Sequence, residues 1–163
     1  MGSRLYDFDW QKKKSKKVRR FFLACEFKPN SSLWSVLEPF AYDLTPAYIH
    51  GKLGIISYKP PTYSVVGTDP DDDPLVGYLM TITSPDAILL LDKIKGYYGK
   101  GAFNVHIRVV HPVFLDKDKS TTAWVYILSK YVVNAYSAIE QITGSWDQDK
   151  QLINLLEKLE KEP

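Results

Sequence analysis

Short apolar runs, separated by turn residues, dominate the pattern of hydrophobic and polar positions along this chain. Runs of this length that are rich in bulky and β-branched side chains are typical of strands rather than of helices. We therefore predict about six strand regions, over the ranges 18–25, 46–57, 63–66, 75–83, 105–114 and 122–128. Turns and loops are predicted between them, at 58–61, at the acidic segment 68–74 and at 116–119.

Two internal segments carry helix signals instead. A short helix over 33–37 is predicted after the serine pair at 31–32, which can serve as its N-cap, and it ends before Pro39. A longer helix begins after Ser84, with Pro85 at its first position. The apolar face of this longer helix is expected to comprise Leu89, Leu90, Leu91 and Ile94.

The end of the chain is amphipathic, with leucine and isoleucine at three- and four-residue spacing. We predict a helix over 148–163 that packs on the domain or on a second copy, so that a homodimer is one expected assembly. A chain with many strands and few helices indicates an α+β domain, here over 18–147, with a closed or nearly closed sheet.

The chain has 163 residues, of which 45% are hydrophobic and one is cysteine. This length suits one domain with a core of its own. A single cysteine excludes an internal disulfide and a cysteine-based zinc site. No apolar run approaches the about 20 residues that span a bilayer, and the N-terminus lacks the apolar segment of a signal peptide. The cytoplasm is therefore the expected location.

Charge is distributed unevenly, although the net charge is only +2. Residues 1–20 contain eight basic and two acidic residues, whereas the remainder of the chain is mildly acidic. Because the run Lys12–Arg20 repels itself, residues 1–17 are predicted to form an extended, flexible arm. Contact of this run with nucleic acid or with an anionic membrane is the less favoured alternative.

No short motif assigns a reaction. The sequence has no phosphate-binding glycine loop, no HExxH and no GxSxG. The spacing of His50, His106 and His111 does not point to a metal site, and we predict none. Cys25 is interpreted as a small buried hydrophobic residue rather than a nucleophile, because a lone buried cysteine more often plays that part.

The order of several short segments resembles the gamma-glutamyl cyclotransferase-like superfamily over residues 19–147. The segments that carry the resemblance are Phe22–Asn30, Ala47–Leu53, Tyr58 with Pro60 and Pro61, Pro74–Leu79, Leu91–Gly96, Ala123–Tyr126 and Ile142–Trp146. Two of them look like the superfamily's "L-D-x-x-E-G" and "A-W-V-Y" motifs. The resemblance implies a small mixed β-barrel with flanking helices and a cavity at one end. It also implies a reaction that forms 5-oxoproline from a gamma-glutamyl amine or peptide without a cofactor.

The sequence departs from this superfamily where the resemblance places the chemistry. Lys95 stands where "L-D-x-x-E-G" implies the catalytic Glu, the carboxylate that moves protons in the superfamily's reaction. Ala24-Cys25-Glu26 stands where the resemblance implies a Tyr-Gly-(Ser/Thr) loop that holds the substrate's carboxylate, and the Cβ of a cysteine can obstruct that approach. Phe103-Asn104-Val105 replaces a Tyr-x-Arg motif.

The resemblance implies a remodelled cavity lined by Ala24, Cys25, Glu26, Phe27, Tyr58, Tyr63, Lys95 and Trp146. In one hypothesis, Glu26 and Lys95 form an ion pair that fills the old active site; in the alternative, Lys95 extends into solvent. Two functions stay open. The chain is a catalytically degenerate module that binds a partner or a small acidic or amino-acid-like ligand, or it is an active cyclotransferase or amine-lyase with Glu26 as substitute acid.

Overall fold

The computed structural model describes residues 19–24, 34–58, 61–82, 84–135, 140–142 and 150–161. The strands are β1 (Arg19–Leu23), β2 (Ala41–His50), β3 (Lys52–Tyr58), β4 (Pro61–Gly67), β5 (Pro74–Ile82), β6 (His106–Asp116), β7 (Lys119–Leu128) and β8 (Glu140–Ile142). The α-helices are α1 (Trp34–Leu37), α2 (Pro85–Lys95), α3 (Lys130–Ala135) and α4 (Lys150–Lys161), and a 3-10 helix, Glu38–Phe40, follows α1. Within these ranges, no helix is both long enough and apolar enough to cross a bilayer.

Five strands form a closed barrel in the order β1-β5-β2-β6-β7. Four of its contacts are antiparallel, and the parallel contact of β1 with β7, at Phe21 and Trp124, closes it. Closure leaves no long unpaired edge around the barrel, which removes a template for aggregation. The predicted α+β class with a closed mixed barrel is confirmed.

A separate three-stranded sheet, in the order β4-β3-β8, lies beside the barrel. Its β3 and β4 form a hairpin that pairs Tyr58 with Pro61, so the predicted turn at 58–61 is confirmed. The predicted single strand over 46–57 is wrong, because β2 belongs to the barrel and β3 to the second sheet. The chain changes sheets at Gly51, where a Cβ would lie 2.9 Å from the carbonyl oxygen of Gly67.

The barrel interior is apolar. Its main cluster comprises Phe22, Ala24, Ala47, Ile49, Leu53, Val65, Leu75, Leu79, Val113, Ala123 and Val125. Burial of apolar surface contributes about 25 cal/mol per Å² removed from water, so this cluster is a main source of the domain's stability.

Two further apolar layers cover the outside of the barrel. Beneath α2, the outward side chains of β1, β5 and β7 pack with those of the helix: Phe21, Leu23, Met80, Ile82, Ala87, Ile88, Leu91, Trp124 and Tyr126. Beneath α4, three leucines of that helix pack against Tyr48, Val76 and Tyr78. Strand β5 is buried on both faces as a result, which explains its nearly continuous apolar sequence.

Helix α2 begins and ends where its sequence predicts. The Ser84 side chain accepts a hydrogen bond from the backbone N–H of Asp86 at 3.2 Å, and Pro85 occupies the first turn. Gly96 ends the helix in the left-handed conformation, at φ 68°. These two signals fix the helix ends independently of the packing.

The predicted apolar face of α2 is partly wrong. Leu91 is buried as expected, but Leu89 and Leu90 are half-buried and Ile94 is 39% exposed. The buried positions are instead Ala87, Ile88, Leu91, Asp92 and Lys95. The helix is turned this way because the Asp92 side chain and the backbone carbonyl of Lys95 have partners on the barrel, described below. The short elements α3 and β8 were not predicted.

Gly77 lies where β5 passes closest to the end of β1. A Cβ at this position would lie 2.5 Å from the carbonyl oxygen of Leu23 and 3.0 Å from the Cα of Ala24. Both atoms belong to the backbone, so they cannot move away as a flexible side chain would. A residue without a side chain is therefore required on the inner face of β5 at this point.

We expect Gly77→Ala to lower the free energy of unfolding toward the upper end of the about 1–3 kcal/mol typical of overpacked sites. Gly67→Ala is the matched control, because a Cβ at Gly67 meets nothing within 4 Å. The control should change stability by less than about 0.5 kcal/mol. Urea unfolding of both variants measures the difference, and equal effects would contradict the close approach.

Candidate functional site

The structure describes the side chains of two of the eight residues predicted to line the cavity. Ala24 lies in the apolar cluster of the barrel interior, and Lys95 lies at the end of α2. Cys25, Glu26, Phe27 and Trp146 lie outside the described residues, and so does their predicted arrangement, including the Glu26–Lys95 ion pair. For Tyr58 and Tyr63 the structure describes the backbone, which belongs to β3 and β4.

Lys95 is the last residue of α2 and is buried. Only 8% of its surface is exposed, so the alternative in which its side chain extends into solvent is wrong. Gly96 follows it, and its backbone N–H bonds to the carbonyl oxygens of Asp92 and Lys93. This cap fixes the direction in which the chain leaves the helix and thereby the place of Lys95 over the barrel.

A buried histidine lies next to Lys95. The imidazole of His106, the first residue of β6, lies between two partners. Its Nδ1 is 2.8 Å from the carbonyl oxygen of Lys95, and its Nε2 is 2.8 Å from Oγ of Ser64 on β4. Ser64 is 1% exposed and His106 is 7% exposed. This arrangement joins the end of α2 to the second sheet through one imidazole.

The partners of His106 define its protonation. A carbonyl oxygen only accepts hydrogen bonds, so Nδ1 carries the proton and donates to Lys95. In the neutral ring Nε2 is then an acceptor, and the hydroxyl of Ser64 donates to it. Burial, followed by the positive charge of Lys95, lowers the pKa of His106 from 6.5 to about 4. His106 is therefore neutral at physiological pH.

One turn earlier on α2, Asp92 forms a second buried polar contact. Its Oδ2 is 3.2 Å from Nη1 of Arg108 on β6, and its Oδ1 accepts a hydrogen bond of 2.7 Å from the hydroxyl of Tyr126 on β7. All three residues are about 5% exposed. The carboxylate therefore ties the helix to two neighbouring strands of the barrel.

The guanidinium of Arg108 also contacts two aromatic rings. Its Cζ lies 4.6 Å from the centroid of Trp124 and 5.3 Å from that of Tyr97. Such cation–π contacts are strengthened when the cation is shielded from water. Together with Asp92 they offset part of the cost of burying an arginine.

The loop from Gly96 to Val105 is closed by Asn104, which accepts from the Tyr98 backbone N–H at 2.7 Å and donates to the Gly99 carbonyl at 2.8 Å. Phe103 is 73% exposed, and its ring lies edge-on to Tyr131 at 4.6 Å. Phe103 therefore lies at the surface rather than among the buried polar side chains beneath α2.

Helix α2 and the strands beneath it thus enclose a buried polar layer made of Ser64, Asp92, Lys95, His106, Arg108 and Tyr126. Of this set, Lys95 is a predicted cavity residue, Asp92 and Tyr126 lie in segments that carry the resemblance, and His106 is predicted only as a strand residue. Ser64 and Arg108 carry no motif, and only pairing of distant segments reveals them. In the described part of the chain, no three His, Cys, Asp or Glu side chains are grouped so that they could hold a metal.

Comparison with solved structures identifies the fold. An AIG2-like protein from Mus musculus, also named GGACT, superposes with a TM-score of 0.61 at 12% identity, over 82% of this chain and 92% of the mouse chain. A protein from Arabidopsis thaliana superposes with a TM-score of 0.54 at 20% identity, over 89% and 79%. The chain has a gamma-glutamyl cyclotransferase-like fold.

The third structure, YkqA from Bacillus subtilis, superposes with a TM-score of 0.52 at 16% identity. It covers 69% of this chain, which spans only 36% of the length of YkqA. No protein-family model and no curated protein sequence matches the chain. The shared gamma-glutamyl cyclotransferase-like fold is therefore known from structure at identities too low to carry over any residue's function.

In this gamma-glutamyl cyclotransferase-like barrel, we expect the free energy of unfolding to decrease as the pH is lowered, because of His106. In the unfolded chain the imidazole of His106 takes up a proton below its ordinary pKa of 6.5, whereas in the native chain it stays neutral down to about pH 4. Stability is fully present above pH 6.5 and falls by about 3 kcal/mol as pH drops through this window. His106→Gln should flatten that slope in urea unfolding curves from pH 4 to 7, with His111→Gln on the same strand as control. An unchanged slope in His106→Gln would show that His106 does not cause the pH dependence of stability.

We expect Asp92→Asn to lower the free energy of unfolding by about 3–5 kcal/mol, because it leaves the buried Arg108 without its carboxylate. Tyr126→Phe removes one hydrogen bond to the same carboxylate and should cost about 1–3 kcal/mol. Tyr98→Phe is the control, since Tyr98 is 59% exposed. Thermal or urea unfolding measures all three, and an Asp92→Asn variant as stable as the control would show that the carboxylate is dispensable.

Proposed function

We propose that this chain is a gamma-glutamyl cyclotransferase-like protein that does not carry out the cyclotransferase reaction and binds a small acidic or amino-acid-like ligand instead. The observation that supports this proposal is the buried Lys95 at the end of α2. The resemblance in sequence implies a catalytic carboxylate at this position, between Leu91-Asp92 and Gly96. Lys95 is the last residue of α2 and Gly96 caps the helix, so the lysine has a fixed place at the helix end.

A lysine that carries its proton cannot take over the role of that carboxylate. The carboxylate is needed first to accept a proton from the substrate's α-amine and then to return it to the leaving nitrogen. A protonated ammonium has no lone pair with which to accept a proton, and its charge repels the substrate's own ammonium. Loss of a positioned general base costs about 10²–10⁴ in rate.

A lysine at position 95 favours a different ligand. A buried ammonium attracts carboxylates more strongly than an exposed one, because it is less screened by water. Charge-assisted hydrogen bonds of this kind are about twice as strong as neutral ones. The ligand class proposed for Lys95 is therefore a small carboxylate or dicarboxylate.

A 5-oxoproline release assay on gamma-glutamyl substrates tests the loss of activity. We expect no release above the uncatalysed rate from the full chain, and L-glutamate and glutarate should still bind in isothermal titration calorimetry. Release that is abolished by Glu26→Gln but not by Glu38→Gln, an exposed glutamate, would overturn the proposal in favour of an active enzyme with Glu26 as substitute acid.

The binding arm uses Lys95→Gln, which removes the charge and keeps a polar side chain. We expect the variant to bind glutarate roughly 10- to 100-fold more weakly, as expected for the loss of a hydrogen bond to a charged group. Lys93→Gln is the matched control, since Lys93 is exposed on the last turn of the same helix. Equal affinities of the two variants would show that Lys95 does not bind the carboxylate.

A further inference from the structure

Ser64, His106 and the carbonyl of Lys95 form a continuous chain of hydrogen bonds. The Ser64 hydroxyl donates to Nε2 of His106, and Nδ1 of the same ring donates to the Lys95 carbonyl, both at 2.8 Å. In sites of nucleophilic catalysis a hydroxyl, a base and an orienting acceptor stand in this order. The acceptor fixes the tautomer that leaves a lone pair on the nitrogen facing the hydroxyl.

The surroundings of this chain of hydrogen bonds suit the same chemistry. Burial and the charge of Lys95 lower the pKa of His106 to about 4, so the ring is neutral at physiological pH and its Nε2 has a lone pair for the serine proton. A base this weak passes the proton on readily to the leaving alcohol. The carbonyl of Lys95 accepts from Nδ1, so the imidazole keeps its orientation toward Oγ of Ser64 while the proton moves. Each group has a second anchor, since Lys95 ends a capped helix and Ser64 lies in the β3–β4 hairpin.

We propose that Ser64 is a nucleophile for acyl transfer, with His106 as its general base, and that the site accepts carboxylic esters. This activity goes beyond the binding function proposed above and does not depend on a carboxylate ligand at Lys95. Ser64 and His106 come from β4 and β6, which belong to different sheets, so the pair cannot be recognised from a local sequence motif.

The reaction is an ester hydrolysis in two steps. Oγ of Ser64 attacks the carbonyl carbon of the ester while its proton passes to Nε2 of His106. The bond from the acyl carbon to the alcohol oxygen breaks, and the alcohol leaves with that proton, which gives acyl-Ser64. A water molecule then attacks the acyl carbon and passes a proton to Nε2 of His106. The bond from the acyl carbon to Oγ breaks, the carboxylic acid is released, and His106 returns the proton to Oγ of Ser64.

The simpler role for the pair is to satisfy two buried polar groups. Both roles predict that Ser64→Ala destabilises the domain, so stability cannot separate them. Covalent reactivity does, because a hydrogen-bonded serine with no catalytic role is inert to acylating and phosphonylating reagents. Ser64 is 1% exposed, so reagents of small size should react faster than bulky ones.

The experiment treats the full chain with a small alkyl fluorophosphonate and with p-nitrophenyl acetate, and maps adducts by peptide mass spectrometry. We expect a stoichiometric adduct on the peptide that contains Ser64 and steady release of p-nitrophenolate. His106→Gln should slow both by about 10²–10⁴, the usual contribution of a general base. Ser64→Cys should retain the release of p-nitrophenolate, since a thiol can replace the hydroxyl as nucleophile.

Ser120→Ala is the matched control, because Ser120 is exposed on β7 and should leave labelling unchanged. Circular dichroism melting confirms that each variant is folded at the assay temperature. Wild-type protein alone can overturn the proposal. Absence of an adduct on Ser64 after complete labelling of a serine esterase in the same tube would make the Ser64–His106 pair structural only. Equal labelling of Ser64 and Ser120 would have the same meaning.

Discussion

The buried ion pair of Asp92 and Arg108 is the interaction on which the arrangement of this domain depends. A carboxylate and a guanidinium taken out of water are costly unless each meets the other with further support. Here the hydroxyl of Tyr126 and two aromatic rings supply that support. The carboxylate can meet its partners only if α2 is turned so that Asp92 faces the barrel. That rotation also buries Lys95, three residues later.

The same constraint organises the strands beneath the helix. Arg108 and His106 are two residues apart on β6 and therefore point to the same side of the strand. The ion pair with Asp92 thus brings His106 under the end of α2, where its ring meets Lys95. Burial, and after it the charge of Lys95, disfavours a proton on the ring, so the imidazole stays neutral. The polar layer lies outside the barrel, whose interior is filled by apolar side chains.

Local signals predicted the parts of the fold that depend on neighbouring residues. The cap at Ser84, the glycine at 96 and the turn before Pro61 each act within a few residues, and each appears where expected. The predicted buried face of α2 was wrong at Leu89, Leu90 and Ile94, because a count of apolar residues does not account for a buried carboxylate with a distant partner. Ser64 could not be found in the same way, since its partner is 42 positions away. The many strands already predicted a closed or nearly closed sheet, and the resemblance in the order of segments added the mixed barrel.

The parallel contact that closes the barrel has a kinetic consequence. It joins β1 to β7, and a nearby hydrogen bond joins Arg20 to Thr121, 101 positions later in the chain. Bringing such distant segments together costs loop-closure entropy before the stabilising contacts form. Domains rich in non-local strand pairs therefore fold in milliseconds to seconds, at the slow end of the range. Until β7 is complete, β1 and β6 each expose a free edge. The last third of the chain therefore decides when the first strand becomes protected from pairing with another molecule.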